Sequence, residues 1–147
     1  MCLDKLKKLH PDKEDCFENK TAATEKGKTF RIECKDKSEQ FCRIHVDGCF
    51  VMDNNSNKCD YIFVRCKTED VYYVELKGQD IGHAYEQIVE TISVHFPSPK
   101  EKNYGFIIAS KVTPSFNRII AKKKEEFQKR HGVKLVIAVG IYKHYIE

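Results

Sequence analysis

An α/β fold, a mixed central β-sheet flanked by helices, is what the sequence predicts, and three observations predict it. The first half carries short β-branched and aromatic runs separated by polar turns, the pattern of antiparallel strands. The second half alternates amphipathic helical patterns with continuous apolar runs, in the order helix, strand, helix, strand. A chain of 147 residues suits one core, so a single domain spanning 1–147 is expected.

Residues 1–27 are polar, with a short helix expected from Asp12 to Lys20, and Thr21 to Lys28 reads as a loop. Thr29 to Cys34 and Gln40 to Met52 read as strands, alternating Phe30/Ile32/Cys34 and Cys42/Ile44/Val46 with polar neighbours. Asp53 to Asn57 are turn-forming residues in succession, a surface connection. Cys59 to Val64 and Val71 to Gly78, around the charged loop Arg65 to Asp70, make a hairpin. Asp80 then caps a helix carrying Ile81, Ala84, Tyr85, Ile88 and Ile92 at three- and four-residue spacing, stopped by Pro97. Tyr104 to Ser110 is a buried strand. Pro114 opens a second helix with Phe116, Ile119, Ile120, Lys123 and Phe127 on one side and Gly132 as its stop, and Val133 to Val139 is a last buried strand.

Composition excludes several classes. Hydrophobic residues at 41% and charged residues at 33% set the chain apart from disordered proteins. No apolar run approaches the roughly 18 residues of a membrane helix, and the start lacks the apolar stretch of a secretory signal, so a cytoplasmic protein without a membrane partner is expected. The seven cysteines are odd in number and irregularly spaced, which argues for reduced thiols. Cys42-x-x-His45 with Cys49 and Cys59 is the nearest approach to a zinc pattern, but it lacks paired ligand knuckles.

The net charge of +4 hides an asymmetry. Residues 1–96 hold 15 Lys and Arg against 18 Asp and Glu, and residues 97–147 hold 11 against 4. A basic C-terminal third attracts polyanions such as nucleic acid, or simply solubilises the chain. Its cations line the second helix as Arg118, Lys122, Lys123, Lys124, Lys129 and Arg130. They read either as phosphate contacts or as a solvated surface.

Glu75 and Lys77 stand two apart on one strand and so share a face, with Leu76 pointing to the other. Alone they read as a strand end with a weak surface ion pair. Asp60 changes the reading because it begins the partner strand. One hairpin register sets Asp60 opposite Glu75, and another sets it opposite Lys77; both gather the three on one side. The register between them opposes Asp60 to Leu76 and scatters the set. Two close carboxylates resist joint ionisation unless a cation lies between them. Hard oxygen ligands favour Mg²⁺ or Mn²⁺, which polarises a phosphodiester and helps form hydroxide.

Asp60, a hairpin, Glu75-Leu76-Lys77 and a helix carrying Gln87 resemble the core of the PD-(D/E)xK superfamily, the restriction-endonuclease-like nucleases. The resemblance covers about residues 40–110; Cys59 stands where the nominal motif has proline, and Thr91 where one branch has tyrosine. It implies a restriction-endonuclease-like core, metal bound by Asp60, Glu75 and the carbonyl of Leu76, water assisted by Lys77, and a site role for Gln87. It also implies a nucleic-acid substrate, DNA ahead of RNA, with a homodimer or protein partner supplying any sequence specificity. His83 reads as a surface residue and Asp47 as a turn residue or further acid. Glu14 or Glu18 would supply an N-terminal glutamate such as some members add. The rival readings are a non-catalytic nucleic-acid-binding or assembly module on the same fold, and an interaction domain whose three charges form a surface network.

Overall fold

Aromatic and β-branched side chains build the central hairpin: β5 (Tyr61–Arg65) and β6 (Val71–Gly78) pair antiparallel from Tyr61 opposite Val74 to Val64 opposite Val71. The computed structural model describes residues 2–78, 80–98, 100, 103–111 and 114–146; the side chains of residues 77, 78 and 114–119 lie outside that description. On one side of the hairpin, β4 (Phe41–His45) pairs antiparallel with β5, and the short β1 (Phe17–Glu18) pairs antiparallel with β4. On the other side, β7 (Asn103–Ala109) and β8 (Val133–Val139) run parallel to β6. Parallel neighbours require crossovers, supplied by α2 (Ile81–Glu90) and α3 (Pro114–His131). The result is a six-stranded mixed sheet, ordered β1-β4-β5-β6-β7-β8.

Strand alternation gives this sheet two buried faces. One carries Ile62, Val64, Tyr73 and Ile107 against Ile81, Ala84, Tyr85 and Ile88 of α2, Ile120 and Phe127 of α3, and Leu3 and Leu6 of α1 (Cys2–Leu9). The other carries Phe63, Tyr72, Val74, Leu76, Phe106 and Ile108 against a second sheet. That sheet is three-stranded: β2 (Ala22–Glu25), β3 (Lys28–Cys34) and β9 (Ile141–Ile146), with β9 parallel to β3. The layers are therefore helices, mixed sheet, small sheet. Gly105 leaves room for the neighbouring strand, since a Cβ there would lie 3.2 Å from the Val133 side chain of β8. No described helix is long and apolar enough to cross a membrane.

The mixed α/β architecture matches the sequence expectation, and so do the hairpin, the Asp80 cap and the helix stops. Asp80 accepts the His83 N–H at 3.0 Å, a π-helical turn (Thr91–His95) ends the α2 run before Pro97, and Gly132 takes φ 63 after α3. Several expectations need correction. The helix from Asp12 to Lys20 is instead a 3-10 turn (Pro11–Cys16) followed by β1, because Phe17 is drawn into the core opposite Ile44. The loop from Thr21 to Lys28 is mostly β2, joined to β3 by Lys26 and Gly27, whose φ values of 49 and 78 form the two-residue turn that matches strand twist. The strand expected to reach Met52 ends at His45.

Val133 to Val139 is not the last strand. Gly140, at φ 76, turns the chain out of the first sheet and β9 completes the second. The expectation of reduced thiols fails for four residues: Cys2 is bonded to Cys66 and Cys16 to Cys49. Both bonds tie the N-terminal segment to turns of the sheet, a proximity that cysteine parity and spacing do not encode. Cys42 and Cys59 are buried thiols, as small core residues should be. The zinc pattern is not assembled either: Cys49 is oxidised, and His45 stacks on Tyr61 at 5.0 Å.

Candidate functional site

The hairpin register ends with Tyr61 opposite Val74, and Asp60 stands just before Tyr61, beside the Val74–Leu76 end of β6. Asp60 is locked from three sides. Its C=O accepts the Val46 N–H at 3.0 Å, its N–H donates to Val74 at 3.1 Å, and its carboxylate accepts the Leu76 N–H at 2.8 Å. The side-chain oxygen thus takes the place of a ladder carbonyl where β5 gives out. Glu75 lies between Val74 and Leu76, both packed toward the second sheet, so the alternation of β6 directs it to the helix side. Both acids are deeply buried, Asp60 at 1% exposure and Glu75 at 0%.

Cys59 lies within reach of both charges. Burial pushes its thiol up, and the negative charges of Glu75 and Asp60 push it further. Buried like charges this near one another are costly unless compensated by a cation, a proton or donated hydrogen bonds.

Lys77 follows Glu75 in β6, past a register shift against β7 between Glu75 and Gly78; its side chain lies outside the described residues. Leu76 contributes its N–H to Asp60 and its side chain to the opposite core.

Gln87 is engaged with backbone: its amide nitrogen donates to the Lys58 carbonyl at 3.1 Å. Two neighbours on the helical run do the same. Glu90 accepts the Asn57 N–H at 2.7 Å, and Thr91 accepts the Cys59 N–H at 2.8 Å while donating to Gln87 O at 2.7 Å. Lys58 is buried at 6% exposure, its ammonium donating to the carbonyls of Ser56 and Asp53. Sequence reasoning missed Glu90, Thr91 and Lys58. For Glu90 and Thr91 the signal was their spacing from Gln87, which places the three on one helix face.

The remaining candidates disperse. His83 is exposed. Asp47 follows Val46 into a turn closed by Gly48 N–H on Val51 O at 3.1 Å, at the same end of the sheet as Asp60. Glu18 sits on β1, paired with Arg43 and, at 3.4 Å, with Lys20; burial raises its pKa but these cations outweigh it and hold the carboxyl below the ordinary range. Glu14 is exposed in the 3-10 turn. On α3, Lys122, Lys124, Lys129 and Arg130 are exposed, and Lys123 lies over the Tyr85 ring at 4.9 Å. The Arg118 side chain lies outside the described residues. Among the described residues, no three His, Cys, Asp or Glu side chains gather as a ready-made metal cluster.

No family model, curated protein or solved structure matches this chain.

Proposed function

We propose that this chain is a metal-dependent nuclease of the PD-(D/E)xK type, hydrolysing phosphodiester bonds of DNA ahead of RNA. The observation that carries the reading is the presence of two buried acids at one end of the central hairpin: Asp60, just before β5, whose carboxylate accepts the Leu76 N–H, and Glu75, the residue before Leu76 in β6. An all-oxygen set of two carboxylates and a strand carbonyl suits Mg²⁺ or Mn²⁺, which keep waters and substrate phosphate as further ligands. Asp60, Glu75 and the Leu76 carbonyl would hold the ion, which when bound supplies Lewis acidity toward the phosphodiester. Lys77, two residues beyond Glu75, is the cation this reading assigns to orienting the attacking water. The exposed cations of α3 would meet the phosphate backbone without reading sequence, and a homodimer or a protein partner would supply selectivity.

Those cations also favour a second reading, a nucleic-acid-binding or assembly module without turnover. One experiment separates the two. Plasmid, single-stranded DNA and RNA are incubated with the native chain, Glu75→Ala or Lys77→Ala, in Mg²⁺, Mn²⁺ or EDTA. Metal-dependent cutting by the native chain, lost in both variants, is expected. Binding without cutting would favour the second reading, and neither activity would remove nucleic acid as the partner.

A further inference from the structure

We infer that Gln87, Glu90 and Thr91 form a clamp on the backbone of Asn57–Cys59 that positions Asp60, an inference that rests on the metal-site reading above. Three consecutive backbone groups, the Asn57 N–H, the Lys58 C=O and the Cys59 N–H, are met one for one by Glu90, Gln87 and Thr91. The segment they hold continues Asp53-Asn54-Asn55-Ser56-Asn57, a run of turn-formers with a local bond of its own from Asn55 N–H to Asp53 Oδ1 at 2.7 Å. Asp60 has its own bonds to Val46, Val74 and Leu76, and the clamp fixes the path by which the chain reaches it.

Thr91 is the centre of the clamp. It is fully buried, and its one hydroxyl accepts from Cys59 while donating to Gln87 O, which fixes the rotor. Lys58 stiffens the segment from within by donating to Ser56 O and Asp53 O. Metal sites depend on such outer partners, because a ligand misplaced by a fraction of an ångström loses affinity. Gln87 therefore acts through the backbone before Asp60, as a positioning residue. The same holds for Glu90 and Thr91.

The test uses the full chain with Mn²⁺ as the probe and two readouts besides cleavage: amide hydrogen exchange at Cys59 and Mn²⁺ affinity by titration calorimetry. Wild type is first compared with Asp60→Asn. If the two bind Mn²⁺ equally, the metal-site reading fails and this inference falls with it. Given a difference, Thr91→Val is expected to unfold cooperatively, to expose the Cys59 amide to faster exchange and to weaken Mn²⁺ binding by about tenfold or more. Thr91→Ser should restore both. Should Thr91→Val fail to fold, Gln87→Met, which keeps the bulk but loses the bond to Lys58, replaces it with exchange read at Asn57 and Cys59. Faster exchange with unchanged Mn²⁺ affinity would overturn the inference while leaving the metal site standing.

Discussion

The carboxylate of Asp60 accepts the backbone N–H of Leu76 at 2.8 Å, so the acid at the start of one strand closes the hydrogen-bond ladder of the next. This bond places the charge of Asp60 one residue from Glu75 and couples the geometry of the acid pair to the end of the central hairpin. Any reagent that binds both carboxylates therefore also staples β5 to β6.

Mn²⁺ should accordingly stabilise the folded chain. At a concentration about 100 times the dissociation constant, the gain is about 2.7 kcal/mol. It appears as a rise in the thermal midpoint that EDTA reverses. Asp60→Asn and Glu75→Gln should each remove the rise, and a rise that survives both would place the ion elsewhere.

The exposed lysines of α3 predict a salt-dependent interaction. Binding of duplex DNA by Lys122→Ala with Lys124→Ala should weaken equally on unrelated sequences. The slope of log affinity against log salt should flatten by about 0.9 for each phosphate that the variant leaves unneutralised. An unchanged slope would assign these cations to the solvated surface.

His144 predicts an acid-sensitive fold. Its ring lies 5.3 Å from Tyr72 and 5.2 Å from Phe106, and burial, with Lys134 nearby, pushes its pKa below the ordinary value of 6.5. As pH falls, the unfolded chain takes up this proton first, so His144's contribution is intact above 6.5 and shrinks below it. Urea midpoints at pH 7.5 and about 5.5 should differ less for His144→Phe than for the native chain. Equal differences would refute the assignment.

The bond between Cys16 and Cys49 closes a loop with a sequence separation of 33. Replacing both cysteines by serine should lower stability by about 2–4 kcal/mol in urea denaturation. The deficit should match that of the native chain on reducing this bond alone. A loss near zero would mean that the 3-10 turn docks without the bond.

Features encoded by neighbours in the chain were legible. Tyr61 to Val64 and Val71 to Val74 announce strands by β-branching and aromatics, and Asp80 announces a cap. Features that depend on distant partners were not. Ile141 to Ile146 does alternate, with Ile141 and Tyr145 outside and Tyr142 toward the core, but only β3 makes it a strand of a second sheet. Phe17 looked like the end of a helix until Ile44 was known to lie beside it. The family resemblance implies a site role for Gln87, yet its bond goes to the Lys58 carbonyl, a backbone group that no local pattern connects to it.

The parallel pairing of Thr29–Cys34 with Ile141–Ile146 also governs how the chain is born. During synthesis β3 is complete long before β9 is made, since β4 to β8 lie between them in the chain. Until β9 is made, Phe30 and Ile32 wait with one edge of their strand open. A chain that lacks Ile141–Ile146 should therefore aggregate, since slow long-range pairing leaves such edges exposed.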